Sequence, residues 1–338
     1  MKIVFFGTKL WEEEYLRKKI QEQNIALDAI FEKSILSKEH MPSDVNFEIA
    51  CVFVDSSVSR DVITALPNLK FIPTRSTGYD HIDLAAASER SIVVSTVPSY
   101  GENTVAEQAF GLLLSISRKI YQGYDQIRET GSFSFEALQG FDLKGKTIGV
   151  VGTGRIGWHS IKIAKGFDMN VIAYDPHPNE KLATDLGFVY KSFEDVLRES
   201  DVVTLHVPYM KETHHLINTQ TLGLMKKSAV IINTSRGPVI DTEALVLALK
   251  AGQLGGAGLD VLEEEGVIKD ELDFIAHGHP EEHNLKTILA NHILFDMPNV
   301  IITPHNAFNT REALERILDT TVENIKAYLA GAPINLAK

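Results

Sequence analysis

Residues 147–157 read TIGVVGTGRIG, and this stretch restricts the folds open to the chain more than any other. Thr147 to Val151 form an apolar, β-prone run. Gly152-Thr153-Gly154-Arg155-Ile156-Gly157 follows with G-x-G-x-x-G spacing. A helical pattern then starts at once, with Ile156, Ile161, Ile163, Ala164 and Phe167 on its apolar face. Gly152 permits a tight strand-to-helix turn, Gly154 lets backbone approach a pyrophosphate, and Gly157 lets helix and strand pack closely. The helix N-terminus adds unpaired N–H groups and a partial positive charge. Glycine-rich turns are common, but here an acid, Asp175, also closes the next apolar run, Asn170–Tyr174. Together these features read as a dinucleotide-binding turn, with Arg155 and Ile156 on the pyrophosphate side. Asp175 is placed to accept from ribose 2′- and 3′-hydroxyls, and its charge opposes a 2′-phosphate, so the expected cofactor is NAD rather than NADP.

The motif starts at residue 152, so something the size of a domain precedes it. The 338 residues suffice for two domains. Residues 1–98 alternate apolar runs (Ile3–Phe6, Ala26–Phe31, Ile49–Val54, Leu69–Ile72, Ile92–Val94) with helical patterns over 10–20 and 59–66, the rhythm of a small parallel α/β sheet. From 146 the rhythm resumes, with strands expected at 147–151, 170–174, 201–206, 229–233, 256–260 and 300–303. One long helix is expected over 104–128, carrying Val105, Ala109, Leu112, Leu113, Ile116 and Ile120, more apolar surface than a connector needs. A last amphipathic helix spans 311–329 and is ended by Gly331. The expected architecture is α/β with two doubly wound domains. A Rossmann NAD-binding domain (100–305, including the helix 104–128) is inserted into a flavodoxin-like substrate domain (1–99 and 306–338). Ligands at the carboxyl ends of both sheets would sit in the cleft between them.

A net charge of −12 and a pI near 5.5 argue against a nucleic acid or an anionic membrane as partner. The N-terminal apolar run is too short for a signal peptide, and no segment approaches a membrane span. The single cysteine, Cys51, excludes an internal disulfide and fits a reducing, cytoplasmic setting. Asn233-Thr234-Ser235 spells a glycosylation sequon inside an apolar strand, which reads as chance.

Three expected strand ends carry reactive side chains. Arg236, in Thr234-Ser235-Arg236-Gly237, can grip a carboxylate and polarise a carbonyl. The acids Asp260, Glu263, Glu264 and Glu265 follow the next strand, and three acids in a row usually mean a solvated loop. His305, in Pro304-His305-Asn306-Ala307-Phe308, is suited to move a proton near neutral pH. Arginine, carboxylate and imidazole thus converge on the crevice beside a nicotinamide.

The segments RSTGYDHID (75–83), NTVAEQAFGLLL (103–114), VVGTGRIG (150–157), HVPYMKETHHLIN (206–218), NTSRGPVID (233–241), GLDVLEEE (258–265) and PHNAF (304–308), in this order and spacing, resemble the D-isomer-specific 2-hydroxyacid dehydrogenases over essentially the full chain. That resemblance implies that Arg236 binds a 2-keto acid, Glu265 rather than Glu263 or Glu264 steadies the catalytic histidine and favours its imidazolium, and His305 donates the proton while NADH delivers hydride to C2. It also implies a carboxylate site on the backbone of Ser76, Thr77 and Gly78, and an Asp260 that accepts from the nicotinamide carboxamide. Val207, Pro208, Thr213, Thr234 and Ser235 would line the cofactor.

Tyr100, the run His305–Phe308 and the long gap between Glu265 and His305 resemble the D-lactate dehydrogenase branch, with Tyr100 and Phe308 as substrate contacts. Phe135 stands where that branch often has a Trp that reaches the partner's active site. Residues 266–297 are a departure from the branch. Their His277, His279, His283 and His292 match no metal-site spacing, so a surface loop and no metal are expected. The resemblance and the apolar load on 104–128 imply a homodimer, and the substrate is expected to be a small, pyruvate-like 2-keto acid. Alternatives are a 3-phosphoglycerate or hydroxypyruvate dehydrogenase, disfavoured because the chain ends at Lys338 without a regulatory domain, and an NAD-sensing corepressor, disfavoured because no long extension is present. A formate dehydrogenase would carry Gln where this chain has Glu265.

Overall fold

The computed structural model describes residues 1–269 and 283–337. The chain forms two compact units, Met1–Gly101 with Asn309–Lys338, and Glu102–Phe308.

In the first unit the apolar runs become five parallel strands: β1 Lys2–Phe5, β2 Asp28–Phe31, β3 Ile49–Cys51, β4 Phe71–Pro73 and β5 Val93–Ser95. Their order is β2-β1-β3-β4-β5, the flavodoxin-like one. Both faces are covered, which is why the strands read as continuous apolar runs rather than alternating ones. Alternate residues still go to opposite faces. Ile3 and Phe5 pack with Leu16 of the helix Leu10–Glu22 and with Leu318, Val322 and Ile325 of the helix Arg311–Leu329. Val4 and Phe6 pack with Val62, Ile63, Ala86 and Ala87 on the other side. Thr310 caps the C-terminal helix through Ala313 N at 3.2 Å, and the helix ends at Ala330, before Gly331 in the left-handed region (φ +78).

The second unit holds β6 Thr147–Val151, β7 Asn170–Tyr174, β8 Val189–Tyr190, β9 Val202–Leu205, β10 Val230–Asn233, β11 Gly256–Leu259 and β12 Val300–Ile302, all parallel, in the order β12-β11-β10-β9-β6-β7-β8. The order reverses between β6 and β9, and a crevice outside the carboxyl ends at such a reversal is where open α/β sheets bind ligands. The sequence rhythm gives six of these strands. It misses β8, a two-residue edge strand whose Val189 is 58% exposed, too short and too wet to show a period.

Two further expectations are corrected. The stretch 104–128 is not one helix but two, Glu102–Ser117 and Ile120–Thr130. The apolar period runs on through the break, but Lys119 is left-handed (φ 54) and the Ser117 carbonyl accepts from Phe141 N at 2.9 Å instead of continuing the ladder. Val105, Ala109, Leu112, Leu113 and Ile116 are buried in their own unit. The apolar surplus lies instead on the second helix and just past it, where Ile120, Tyr121, Tyr124 and Ile127 are exposed, with Phe133 and Phe135 at 90% and 83%.

Residues 266–297 are not a surface loop throughout. They include most of the helix Glu265–Lys269 and all of the helix Leu285–Phe295, whose Ala290 and Leu294 enter the core beside the helix Thr242–Lys250. His277 and His279 lie outside the described residues. No helix among the described residues is long and apolar enough to cross a membrane.

Candidate active site

The site residues of the second unit stand at the carboxyl ends of its strands, and three of those strands, β10, β11 and β12, are neighbours. The glycine-rich turn follows β6. Gly152 has φ +91, and a Cβ there would lie 2.6 Å from the His206 carbonyl oxygen; a Cβ on Gly157 would lie 2.0 Å from the Gly152 carbonyl oxygen. Both positions therefore exclude any other residue. A Cβ on Gly154 would meet nothing within 4 Å, so the outer side of the turn is open. The helix Arg155–Gly166 starts there, Ile156 is half-buried in its first turn, and Arg155 lies 3.7 Å from Glu102.

Asp175, past the end of β7, is fixed toward this turn. Its Oδ2 accepts from Thr153 N (2.8 Å) and Oγ1 (3.0 Å), and its Oδ1 accepts from His177 N (2.9 Å). Tyr190, on the strand β8 that periodicity misses, braces Thr153 through a 2.8 Å hydroxyl contact. After β9 comes His206, whose Nε2 lies 2.8 Å from Ser160 Oγ and 3.0 Å from Thr204 Oγ1, tying the helix to the strand. Burial pushes this imidazole down to about 3, so it is neutral near pH 7. Val207 is half-buried and Pro208 exposed. Thr213 Oγ1 donates to Pro208 O (2.7 Å) and accepts from Met210 N (2.8 Å), which closes the loop they share.

At the end of β10, Asn233 is buried; its amide donates to Arg236 O (2.9 Å) and its carbonyl accepts from Ser235 N (3.0 Å) and Oγ (2.7 Å). The sequon side chain is thus used up in shaping the Thr234–Arg236 turn. Arg236 is half-buried, with Nη1 donating to Ser235 O at 2.8 Å.

At the ends of β11 and β12, Asp260 is buried and accepts from Thr303 Oγ1, Asn306 N (2.9 Å) and Ala307 N (2.8 Å). Burial pushes its carboxyl up, and these hydrogen bonds pull it back. All three donors belong to the segment that carries His305, so in this structure the carboxylate shapes that segment. His305 itself is left-handed (φ 49), with its N–H near Asp260 O (2.8 Å) and Thr303 O (2.9 Å). Its Nδ1 lies 2.8 Å from Glu265 Oε1. A carboxylate only accepts, so Nδ1 carries a proton and Nε2 is the ring nitrogen that Glu265 does not engage. Phe308 is half-buried three residues on.

The acid run is no solvated loop. Each member meets a different histidine: Glu263 and His215 at 2.8 Å, Glu264 and His283 at 2.7 Å, Glu265 and His305 at 2.8 Å. Sequence reasoning singles out only the last pair. His292 lies on the helix Leu285–Phe295, its ring against Phe295. Among the described residues no group of three metal-ligating side chains is placed to hold an ion.

The remaining candidates lie in the first unit, at the ends of β4 and β5. Ser76 is buried and donates to Gly78 O (2.6 Å); Thr77 donates to Val97 O (2.6 Å), so the loop over Ser76, Thr77 and Gly78 is preshaped. The Tyr100 carbonyl accepts from Arg316 Nε. Arg75 is not a ligand-facing cation. Buried to 2% exposure, it donates to Glu12 Oε2 (3.1 Å) and to the Phe6 (2.5 Å) and Gly7 (3.4 Å) carbonyls.

The second unit fits a dinucleotide by its own geometry: an open Gly154 side, a helix N-terminus, and Thr234 Oγ1 buried without a hydrogen-bond partner. Comparison with known proteins agrees. Residues 110–307 match the model for the NAD-binding domain of the D-isomer specific 2-hydroxyacid dehydrogenases. The D-lactate dehydrogenase of Escherichia coli is 35% identical over 96% of both chains. Among solved structures, a pyruvate reductase of Chlamydomonas reinhardtii superposes with a TM-score of 0.87 at 33% identity, covering 99% of this chain and 98% of that one. A D-lactate dehydrogenase of Aquifex aeolicus, complexed with NAD and lactic acid, gives 0.84 at 34%, covering 97% and 96%.

Proposed function

The chain belongs to the D-isomer specific 2-hydroxyacid dehydrogenase family, NAD-dependent oxidoreductases acting on D-2-hydroxy acids, and we propose that it reduces a small, pyruvate-like 2-keto acid to the D-2-hydroxy acid. The observation that carries this reading is the His305–Glu265 pair at 2.8 Å, held at the same carboxyl end of the sheet as Arg236 and the nucleotide turn. Bound NADH supplies hydride to C2. His305 Nε2 gives its proton to the oxygen that becomes the hydroxyl, and Glu265 stabilises the charged imidazole until that transfer. Arg236 grips the carboxylate and polarises the keto oxygen as charge develops there. Val207, Pro208, Thr213, Thr234 and Ser235 line the cofactor in this reading, and Asp260 is its acceptor for the carboxamide. The same reading gives the backbone of Ser76, Thr77 and Gly78, and the Tyr100 hydroxyl, as further carboxylate donors.

A small substrate is favoured because Arg75, the cation beside that loop, is already engaged by Glu12 and two carbonyls. The relatives named above include a D-lactate dehydrogenase solved with lactic acid and a pyruvate reductase. A panel of 2-keto acids with NADH tests the reading: pyruvate and 2-ketobutyrate should turn over well, since a methylene discriminates by only ~1–3 kcal/mol. Phe308→Ala should move preference toward longer or aromatic keto acids. Tenfold better turnover of oxaloacetate or 3-phosphohydroxypyruvate would refute the choice of substrate.

NADPH should be used far less efficiently than NADH, because the Asp175 carboxylate is fixed beside the turn, where like charges cost several kcal/mol. Equal efficiency with both cofactors would count against the ribose role of Asp175.

We further propose a cytoplasmic homodimer. The chain has a single cysteine, Cys51, which is buried and free, so the fold uses no internal disulfide, as suits a reducing compartment. The exposed apolar face Ile120, Tyr121, Tyr124, Ile127, Phe133 and Phe135 is the surface for a second copy, consistent with the place of Phe135 in the D-lactate dehydrogenase pattern. Light scattering should return twice 37.5 kDa at micromolar concentration. Replacing Tyr124 and Ile127 by Glu should yield monomer; a wild-type monomer would end the proposal.

A further inference from the structure

Of the three acid–histidine pairs, the one formed by Glu263 and His215 has no place in the reaction described above, yet it is the most connected. The Glu263 side chain is only 13% exposed. Its Oε1 meets His215 Nε2 at 2.8 Å, and its Oε2 accepts from Thr242 N (2.9 Å) and Thr242 Oγ1 (2.7 Å), at the start of the helix Thr242–Lys250. Its backbone carbonyl accepts from the buried Asn291 amide of the helix Leu285–Phe295 at 2.8 Å. The Arg236 turn lies against the same residue: a Cβ on Gly237 would fall 2.1 Å from the Leu262 carbonyl and 2.4 Å from Glu263 N. His215 closes the ring from the other side, its N–H donating to Pro238 O at 2.8 Å.

We propose that Glu263 is a positioning residue for the reduction: through His215 it locks the segment 206–215 to the turns that carry Glu265 and Arg236. The inference rests on the reading of the site given above, which places the cofactor along that segment. Glu265 is two residues from Glu263, with Glu264 between them in the left-handed region (φ 54), so a shift of the Glu263 carboxylate is passed on within one turn. The half-buried carboxylate, with its three hydrogen-bond contacts, holds that turn in register. Such preorganisation matters because a misplacement of about 1 Å can cost ~10²-fold in rate.

The test is a double-mutant cycle read in three ways: kcat, the NADH dissociation constant from nicotinamide fluorescence, and the thermal midpoint. Glu263→Ala and His215→Ala should each lower kcat by about tenfold or more and weaken NADH several-fold, on the scale of a misplaced catalytic group. The double variant should be little worse than either single one, because both remove the same link. Glu263→Gln keeps an acceptor for Thr242 and a partner for His215, and should restore most of both quantities. If Glu263→Ala does not fold, the more exposed His215→Ala carries the test. Variants that melt lower but keep kcat and NADH affinity would overturn the proposal, as would additive losses. Should the wild-type protein reduce no 2-keto acid, the substrate reading fails, and NADH affinity across the cycle still decides for or against Glu263.

Discussion

His305→Ala should lower kcat for keto-acid reduction by ~10²–10⁴-fold, the usual worth of a general acid, while NADH binds nearly as before. The imidazole is held at Nδ1 by Glu265, at 2.8 Å, so Nε2 is the position from which the proton leaves, and a methyl group cannot replace it. Affinity for NADH survives because the glycine-rich turn, Asp175 and the 206–213 loop do not depend on that ring. The backbone adds a complication, since His305 is left-handed at φ 49, a conformation that costs alanine roughly 1–2 kcal/mol. Asparagine tolerates that region better and still cannot act as the acid. His305→Asn should therefore lose as much kcat as His305→Ala while keeping more of the thermal midpoint. A kcat within tenfold of wild type in both variants would remove His305 from the role proposed for it.

Legibility in the sequence followed the physics of each element. Runs such as Ile3–Phe6 and Thr147–Val151 are buried on both faces, and a doubly covered strand announces itself by unbroken apolarity. The C-terminal helix is bounded by a cap at Thr310 and a glycine at 331, both local signals. What escaped is set by distant partners. The break at Lys119 depends on Phe141 taking the Ser117 carbonyl, and periodicity continues across it. The strand β8 is two residues long, and its Tyr190 matters because its hydroxyl reaches Thr153. In the acid run, one-dimensional reasoning sees three solvated charges. The fold supplies a different histidine to each, from positions 48, 19 and 40 residues away in the chain. Only the family resemblance pointed to Glu265 among them, and nothing local distinguishes Glu263 from a surface acid.

The largest expected effect on stability comes from the first unit, where Glu12→Leu should destabilise the fold by about 3–5 kcal/mol. Arg75 is then left charged and buried, its side chain 3% exposed, with the Phe6 and Gly7 carbonyls and the face of the Phe53 ring, 5.6 Å away, to compensate, and no anion among them. Its Nε is buried without a hydrogen-bond partner even in the intact protein, so the guanidinium has little reserve. A surface ion pair would be worth about 0–1 kcal/mol in the same experiment. Removing both charges should be much milder, and Glu12→Leu with Arg75→Met should recover most of the loss, because no ion is then buried alone. Denaturant unfolding can isolate the unit concerned, since the two tryptophans fall one to each: Trp11 in the first and Trp158 in the second. In a Trp158→Phe background, fluorescence follows the first unit alone. A loss below about 1 kcal/mol for Glu12→Leu would place the pair in the surface class. Arg75 would then be a cation that is easily released beside the Ser76, Thr77 and Gly78 loop, and the argument for a substrate with a single carboxylate would lose its structural support.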